Sequence, residues 1–212
     1  MVKSTKIYKN FSIQSRHKNS IILVGNFDGI HLGHQKLFSL AKKYKIKYSL
    51  KVGVLTFEPM PKIFFNKYLK NFRISNLDQK IDNLKSLNVD FIIRKKFDKK
   101  FSKTKSTIFI KEILGKKLKP KFVFVSNNFR FGNKREGNVK QLIKFENLCG
   151  YKVVKPEPLI INKNIASSSL IRNYLQKGDL KKANKMLNRN WSIDGKVQKG
   201  KQLGKKIGFP TA

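Results

Sequence analysis

Short apolar runs alternate along this chain with segments whose apolar residues recur every three or four positions. Ile21-Ile22-Leu23-Val24 has the length and composition of a buried strand, and the pattern then opens into a loop and a helix over 33–44. Val52 to Phe57 reads as the next strand. Leu77, Ile81, Leu84 and Leu87 follow at spacings of four, three and three behind Ser75 or Asn76, which predicts a capped amphipathic helix. Phe91-Ile92-Ile93 is a strand, 108–114 a helix expected to end at Gly115, and Phe122 to Val125 another strand. A glycine-containing loop and a helix closed by Gly150 lead to a strand over 151–154. From Ser168 the spacing turns helical, breaks at Gly178, and resumes behind Asp179 as far as Leu187.

This β-α-β-α rhythm predicts an α/β fold, Rossmann-like, with a mostly parallel sheet covered by helices on both faces. Folds of this kind bind ligands at the carboxyl ends of their strands. The informative loops are therefore those after Val24, Phe57, Val125 and Ile161. After Trp191 the glycine-punctuated stretch 193–200 reads as the entry to a β domain, so the expected division is 1–188 for the α/β domain and 189–212 for the truncated start of a second, β-barrel module.

Composition changes this picture little. Of 212 residues, 40% are hydrophobic and 17 are Phe, enough for a packed core and against disorder. No apolar run approaches the roughly 20 residues that a spanning helix needs, and the N-terminus lacks the apolar core of a signal peptide. The single cysteine, Cys149, fits a cytoplasmic chain without membrane partners. Charge is more informative. Forty-eight basic residues against 12 acidic ones give +36, which invites a nucleic-acid reading. Only seven of the 48 are arginine, and lysine is spread along the whole chain. Motif-free lysine supplies non-specific attraction, so coding bias on a solvated surface is the simpler account and no specific nucleic-acid partner is expected. The same field favours anionic substrates such as nucleoside phosphates.

Gly25-Asn26-Phe27-Asp28-Gly29-Ile30-His31-Leu32-Gly33-His34 directly follows a strand and opens a helix. Its glycines suit a tight turn, and the free N–H groups of a helix N-terminus suit phosphate. Gly33 is expected to let a nucleotide lie close to the backbone. His31 and His34 share one face of the first turn, where imidazoles can donate hydrogen bonds to oxygens gaining charge in an in-line displacement. A metal pair is the alternative, but His17 and Cys149 are the only other histidine and cysteine. Late in the chain Ser167-Ser168-Ser169-Leu170-Ile171-Arg172 begins another helix, either as a plain cap or as a second phosphate site with Arg172 one turn on. Asp28 and Glu58 are candidate acid or magnesium groups, with turn formation the alternative for Asp28.

These segments, with Thr56-Phe57-Glu58-Pro59-Met60-Pro61, Asn128-Phe129-Arg130-Phe131-Gly132 and the terminal Gly204 to Ala212, resemble the N-terminal module of the bacterial bifunctional riboflavin kinase/FMN adenylyltransferases (FAD synthetases). The resemblance covers essentially the whole chain. It implies a nucleotidylyltransferase fold and transfer of AMP from ATP to FMN, with magnesium, by direct attack of the FMN phosphate and release of pyrophosphate. By resemblance, His31 and His34 hold the triphosphate and stabilise the transition state, and Ser168, Ser169 and Arg172 hold the leaving phosphates. Gly25, Asn26, Phe27 and Gly33 line the ATP pocket, with Asn128 on its nucleotide side. Phe57, Pro59 and Phe129 are candidate flavin contacts, and Phe64, Phe65 and Phe131 could join them, against simple core packing. Thr211 matches a magnesium- and nucleotide-binding threonine of the kinase module, whose next residue, Asn, is absent here. A complete riboflavin kinase, phosphorylating riboflavin to FMN, is therefore expected only of a longer chain.

Departures from the family pattern are Met60 where histidine is usual, Ser126 where glycine is usual and Ser169 for threonine. Other His-x-Gly-His transferases, acting on nicotinate mononucleotide, phosphopantetheine or cytidylyl substrates, share the chemistry but not the Gly-Asn-Phe-Asp-Gly prefix. An aminoacyl-tRNA synthetase is disfavoured by length, and a basic nucleic-acid-binding module is the reading from a different class. Oligomeric state is open.

Overall fold

The structure is a computed structural model that describes residues 5–69, 72–196 and 208. The expected alternation is present, with more pieces than the apolar pattern marks. Strand β1 (Lys6–Tyr8) is followed by β2 (Ile21–Val24), helix α1 (Leu32–Lys47), β3 (Val52–Glu58), short α2 (Pro61–Phe65), α3 (Leu77–Ser86) and β4 (Phe91–Lys96). Then come α4 (Lys99–Ser102), α5 (Ser106–Ile108), which runs on as a π-helical segment over Phe109–Leu118, and β5 (Phe122–Phe124). The hairpin β6 (Arg130–Phe131) and β7 (Gly137–Asn138) precedes α6 (Val139–Lys144), α7 (Glu146–Cys149) and β8 (Lys152–Val154). A second hairpin, β9 (Ile160–Ile161) and β10 (Asn164–Ile165), leads into α8 (Ser168–Gln176) and α9 (Leu180–Leu187).

Six strands form one sheet in the order β1-β4-β3-β2-β5-β8, and every pairing in it is parallel. Alternation along β2 divides the core. Ile21 and Leu23 face α1 and α3, together with Leu37, Phe38, Ala41, Ile81 and Leu84. Ile22 and Val24 face the π-helical segment and α6, together with Ile110, Leu114 and Leu142. Burial on both faces explains why these strands read as continuous apolar runs. A third cluster packs α8 and α9 against Ile74 and Ala166. The chain leaves β2 towards β3 on one side and enters β5 on the other, so the strand order reverses between β2 and β5, where open α/β sheets place their ligand crevice.

Of the two expected caps for α3 the structure uses Asn76, in a reciprocal capping box with Gln79. One boundary differs from expectation. The helix expected to end at Gly115 instead runs to Leu118 and stops at Lys119, which takes the left-handed conformation (φ 45°). Gly115 is interior because a Cβ there would stand 3.1 Å from the Cys149 sulfur. The stretch 192–196 has no strand, and the rest of the expected β entry lies outside the described residues. No helix among the described residues is long and apolar enough to cross a membrane.

Candidate active site

The loop from Gly25 to His31 is built against its own backbone preferences. Phe27 (φ 50°), Gly29 (φ 76°) and Ile30 (φ 42°) all lie in the left-handed region, which an aromatic and a β-branched side chain ordinarily avoid. Packing holds the two non-glycine residues there, since the Phe27 and Ile30 side chains are both buried in the core beneath the site.

Side chains from separate elements grip the loop carbonyls one after another. Thr56 Oγ1 of β3 donates to the Asn26 carbonyl (3.3 Å), and Ser168 Oγ of α8 to the Asp28 carbonyl (2.9 Å). Arg189, just past α9, donates to the Gly29 carbonyl (2.7 Å), and Gln35 of α1 to the Ile30 carbonyl (2.9 Å). The Asp28 carboxylate, 4% exposed, accepts from Arg172 Nη2 (2.7 Å) and from the Ile74 N–H (3.1 Å). Arg172 also donates to the Phe72 carbonyl (2.7 Å) and lies 3.8 Å over the Phe72 ring.

These bonds bring the N-termini of α1 and α8 together. A Cβ at Gly33 would stand 3.0 Å from the Ala166 carbonyl and 3.1 Å from the His31 ring, so glycine there first serves the meeting of the two helices. His31 is the N-cap of α1, and its ring stacks on His34 at 3.8 Å between centroids. Phe27 meets the His34 ring edge-on at 5.2 Å. Both Nδ1 atoms are buried without a partner among the described residues. Burial, reinforced by the nearby Arg172 cation, lowers the His31 pKa to about 4. Burial and then the neighbouring His31 hold His34 well below its usual range. The pair is therefore neutral at neutral pH: two hydrogen-bonding imidazoles rather than two cations.

Glu58, at the carboxyl end of β3, is bound by Arg73 through both carboxylate oxygens and lies 3.6 Å from the Lys80 ammonium. The hydrogen bond from Arg73 to Glu58 keeps the guanidinium firmly protonated, while burial lowers the Lys80 pKa against the pull of Glu58. Lys80 in turn reaches Thr56 Oγ1 (3.3 Å), extending the support of the Asn26 carbonyl back to α3. Asp28 and Glu58 are thus both neutralised by the protein's own cations. No group of three or more His, Cys, Asp or Glu among the described residues is arranged to hold a metal, so the donor set does not fit a resident magnesium ion.

The remaining expected residues fall into two groups. Asn128, beyond β5, is exposed and accepts from Ser126 Oγ (3.0 Å), and neighbouring Asn127 is tied to Glu157, whose backbone carbonyl receives Lys36 of α1 (2.9 Å). Ser169 is exposed at the start of α8, where Ser167 is the capping residue. On the other side, Phe57 stacks on Phe101 (5.6 Å), and Phe97 joins it to Phe64 and Phe65 through edge contacts. Phe129 stacks on Phe131 (5.5 Å), against the same core cluster that holds Phe57. Pro59 follows Glu58, and Met60 is buried at the N-cap of α2. Thr211 lies outside the described residues.

Residues 13–170 match the family model for FAD synthetase. The chain belongs to the FAD synthetase family. Residues 187–212 match the model for riboflavin kinase. A bifunctional riboflavin kinase/FMN adenylyltransferase of Buchnera aphidicola is 40% identical over 95% of this chain and 64% of its own length. One of the same description from Escherichia coli is 33% identical over 94% of this chain and 64% of its own. The chain thus spans a little under two thirds of these relatives. Among solved structures, one titled macrolide-efflux protein from Streptococcus pneumoniae superposes with a TM-score of 0.81 at 28% identity, covering 97% of this chain and 67% of that one.

Sequence reasoning missed Gln35, Arg73, Lys80, Arg189 and Trp191. A signal existed for some of them. Lys80 sits on the apolar stripe between Leu77 and Leu84, an odd place for a lysine, and Trp191 is the only tryptophan.

Proposed function

We propose that this chain transfers AMP from ATP to FMN, giving FAD and pyrophosphate, and that it forms an adenylyltransferase module over 1–188 with the beginning of a kinase module after it. The observation that carries this reading is the stacked, neutral His31–His34 pair at a helix N-terminus, at the strand-order reversal of a FAD synthetase-family sheet. The acceptor phosphate attacks the α-phosphorus in line, and pyrophosphate leaves from the opposite side. His31 and His34 donate hydrogen bonds to the non-bridging oxygens as charge grows on them. Neutral rings suit this task, because they strengthen a hydrogen bond in the transition state without holding the product by full charge. The free N–H groups of α1 and α8, with Ser169, receive the departing phosphates. Ser168 and Arg172 act by holding Asp28 and the loop in place. Gly25, Asn26 and Asn128 line the nucleotide side. The flavin lies towards the aromatic rings at the carboxyl ends of β3 and β4, near Phe57 and Pro59. Magnesium is carried by the triphosphate rather than by a carboxylate cage.

Riboflavin phosphorylation is expected, on this reading, only of a chain with a complete kinase module, the family that residues 187–212 match. The test is product analysis with magnesium and ATP, offering FMN, riboflavin, nicotinate mononucleotide or phosphopantetheine in parallel. FAD from FMN alone is the expected result. A dinucleotide from another acceptor, or no adenylylated product from folded protein, would overturn the reading.

A further inference from the structure

The segment after α9 falls at the start of the stretch that matches riboflavin kinase, yet it is bonded into the adenylyl site. Arg189 Nη2 donates to the carbonyl of Gly29 (2.7 Å), which with Phe27 and Ile30 takes the left-handed conformation just ahead of His31. Trp191 Nε1 donates to the Ile74 carbonyl (2.8 Å), and the Ile74 N–H donates to the Asp28 carboxylate (3.1 Å). The Trp191 main-chain N–H is fixed in turn by Asn184 Oδ1 of α9 (2.7 Å). Gln35 closes the circuit, bridging the Ile30 carbonyl (2.9 Å) and the Leu187 carbonyl (3.0 Å). Two neighbouring residues thus hold the histidine loop from below and hold the strand of chain that fixes its aspartate.

We propose that Arg189 and Trp191 are positioning residues of the adenylyl-transfer site, so that the working boundary of that module lies beyond 191 and the junction with the following module is part of the catalytic scaffold. This rests on the adenylyltransferase reading above. The physical reason is the loop's conformation. Phe27 and Ile30 are held at unfavourable φ, and a carbonyl that loses its donor removes one of the bonds fixing the His31 ring against His34. A guanidinium is suited to the task, since it keeps its charge and spans the Leu187 and Gly29 carbonyls with a planar fork. Misplacement of reacting groups by a fraction of an ångström lowers turnover more than it weakens ground-state binding.

The test compares Arg189→Met, Arg189→Lys, Trp191→Phe and, as a control on α9, Lys182→Ala, in the 212-residue chain. FAD formation gives kcat and KM for FMN, and NMR titration of the histidine ring protons reports the loop without reference to activity. The expected result is that kcat falls about tenfold or more in Arg189→Met with KM within about twofold. Arg189→Lys recovers part of it, Trp191→Phe loses less, and Lys182→Ala leaves kcat unchanged. The titration midpoints of His31 and His34 move in Arg189→Met. Should Arg189→Met not fold, Arg189→Lys and Trp191→Phe carry the same comparison. Unchanged kcat and unchanged histidine titration in folded Arg189 and Trp191 variants would overturn the proposal. Failure of the unsubstituted chain to make FAD would instead strike the adenylyltransferase reading, and the histidine titration would still decide whether Arg189 sets the loop.

Discussion

The two sides of the site are built on different principles. Around the histidine pair, the carbonyls of Asn26, Asp28, Gly29 and Ile30 each accept a bond from a side chain of a helix, strand or following segment, and the Asp28–Arg172 pair, its carboxylate buried, ties the loop to α8. Around α2, by contrast, support comes from edge-on and stacked rings, with the Phe65 side chain 68% exposed and Tyr68 93% exposed. Hydrogen bonds are directional and fail as a set, whereas ring packing tolerates small shifts. On the proposed reading, the difference teaches that atoms which must be placed for in-line displacement are locked before substrate arrives. The surface proposed for the broad flat flavin ring is left adaptable.

Removing one ion of the locked side should give the largest effect. Asp28→Ala takes the carboxylate partner from the partly buried Arg172 guanidinium and releases the Ile74 N–H, and is expected to cost about 3 kcal/mol, read as a fall in the denaturant midpoint. A loss below about 1 kcal/mol would mean that the pair is not the anchor described here. Next, His31→Ala is expected to lower kcat by roughly 100-fold or more while FMN binding by the folded protein changes little. Comparable losses in turnover and FMN affinity would instead assign His31 to flavin binding.

A pH series sharpens the same contrast. The folded state takes up the His31 proton only near pH 4, against about 6.5 in the unfolded chain, so the unfolded state binds more protons between these values. Stability present above pH 6.5 should therefore drain away as pH falls towards 4. His34 and buried His17, also lowered by burial, act in the same direction. In His31→Gln the slope over that window should become shallower, checked by chemical denaturation at each pH. The smallest effect belongs to the adaptable side. Phe65→Ala should leave stability within about 0.5 kcal/mol and raise KM for the flavin by a few-fold, with kcat retained.

Much of this was legible beforehand, and the limits have physical causes. The central strands were readable because burial on both faces makes them continuously apolar. Strand β1 was not, because only three residues form it, two of them exposed, and its partners Phe91–Ile93 lie some 85 positions away. The hairpins β6–β7 and β9–β10, two residues per strand, carry no periodicity at all. Gly115 misled because a helix-ending glycine and one that admits a neighbouring helix look alike in sequence. At the site, His31 and His34 stood out through spacing and local context. Ser168 and Arg172 were singled out, but sequence could not tell a phosphate contact from a hold on Asp28, 140 or more positions away. Arg189 and Gln35 act through backbone carbonyls, which leave no mark on the residues they support.

The most direct test of the account follows ATP labelled at its α-phosphorus through one turnover on the intact chain and on His31→Ala, with FMN supplied. The account predicts that the label enters FAD on the intact chain without passing through a labelled protein, and that the variant binds FMN but transfers label at least about 100-fold more slowly. Transfer at an undiminished rate in the variant, or label lodged covalently on the intact protein, would contradict it.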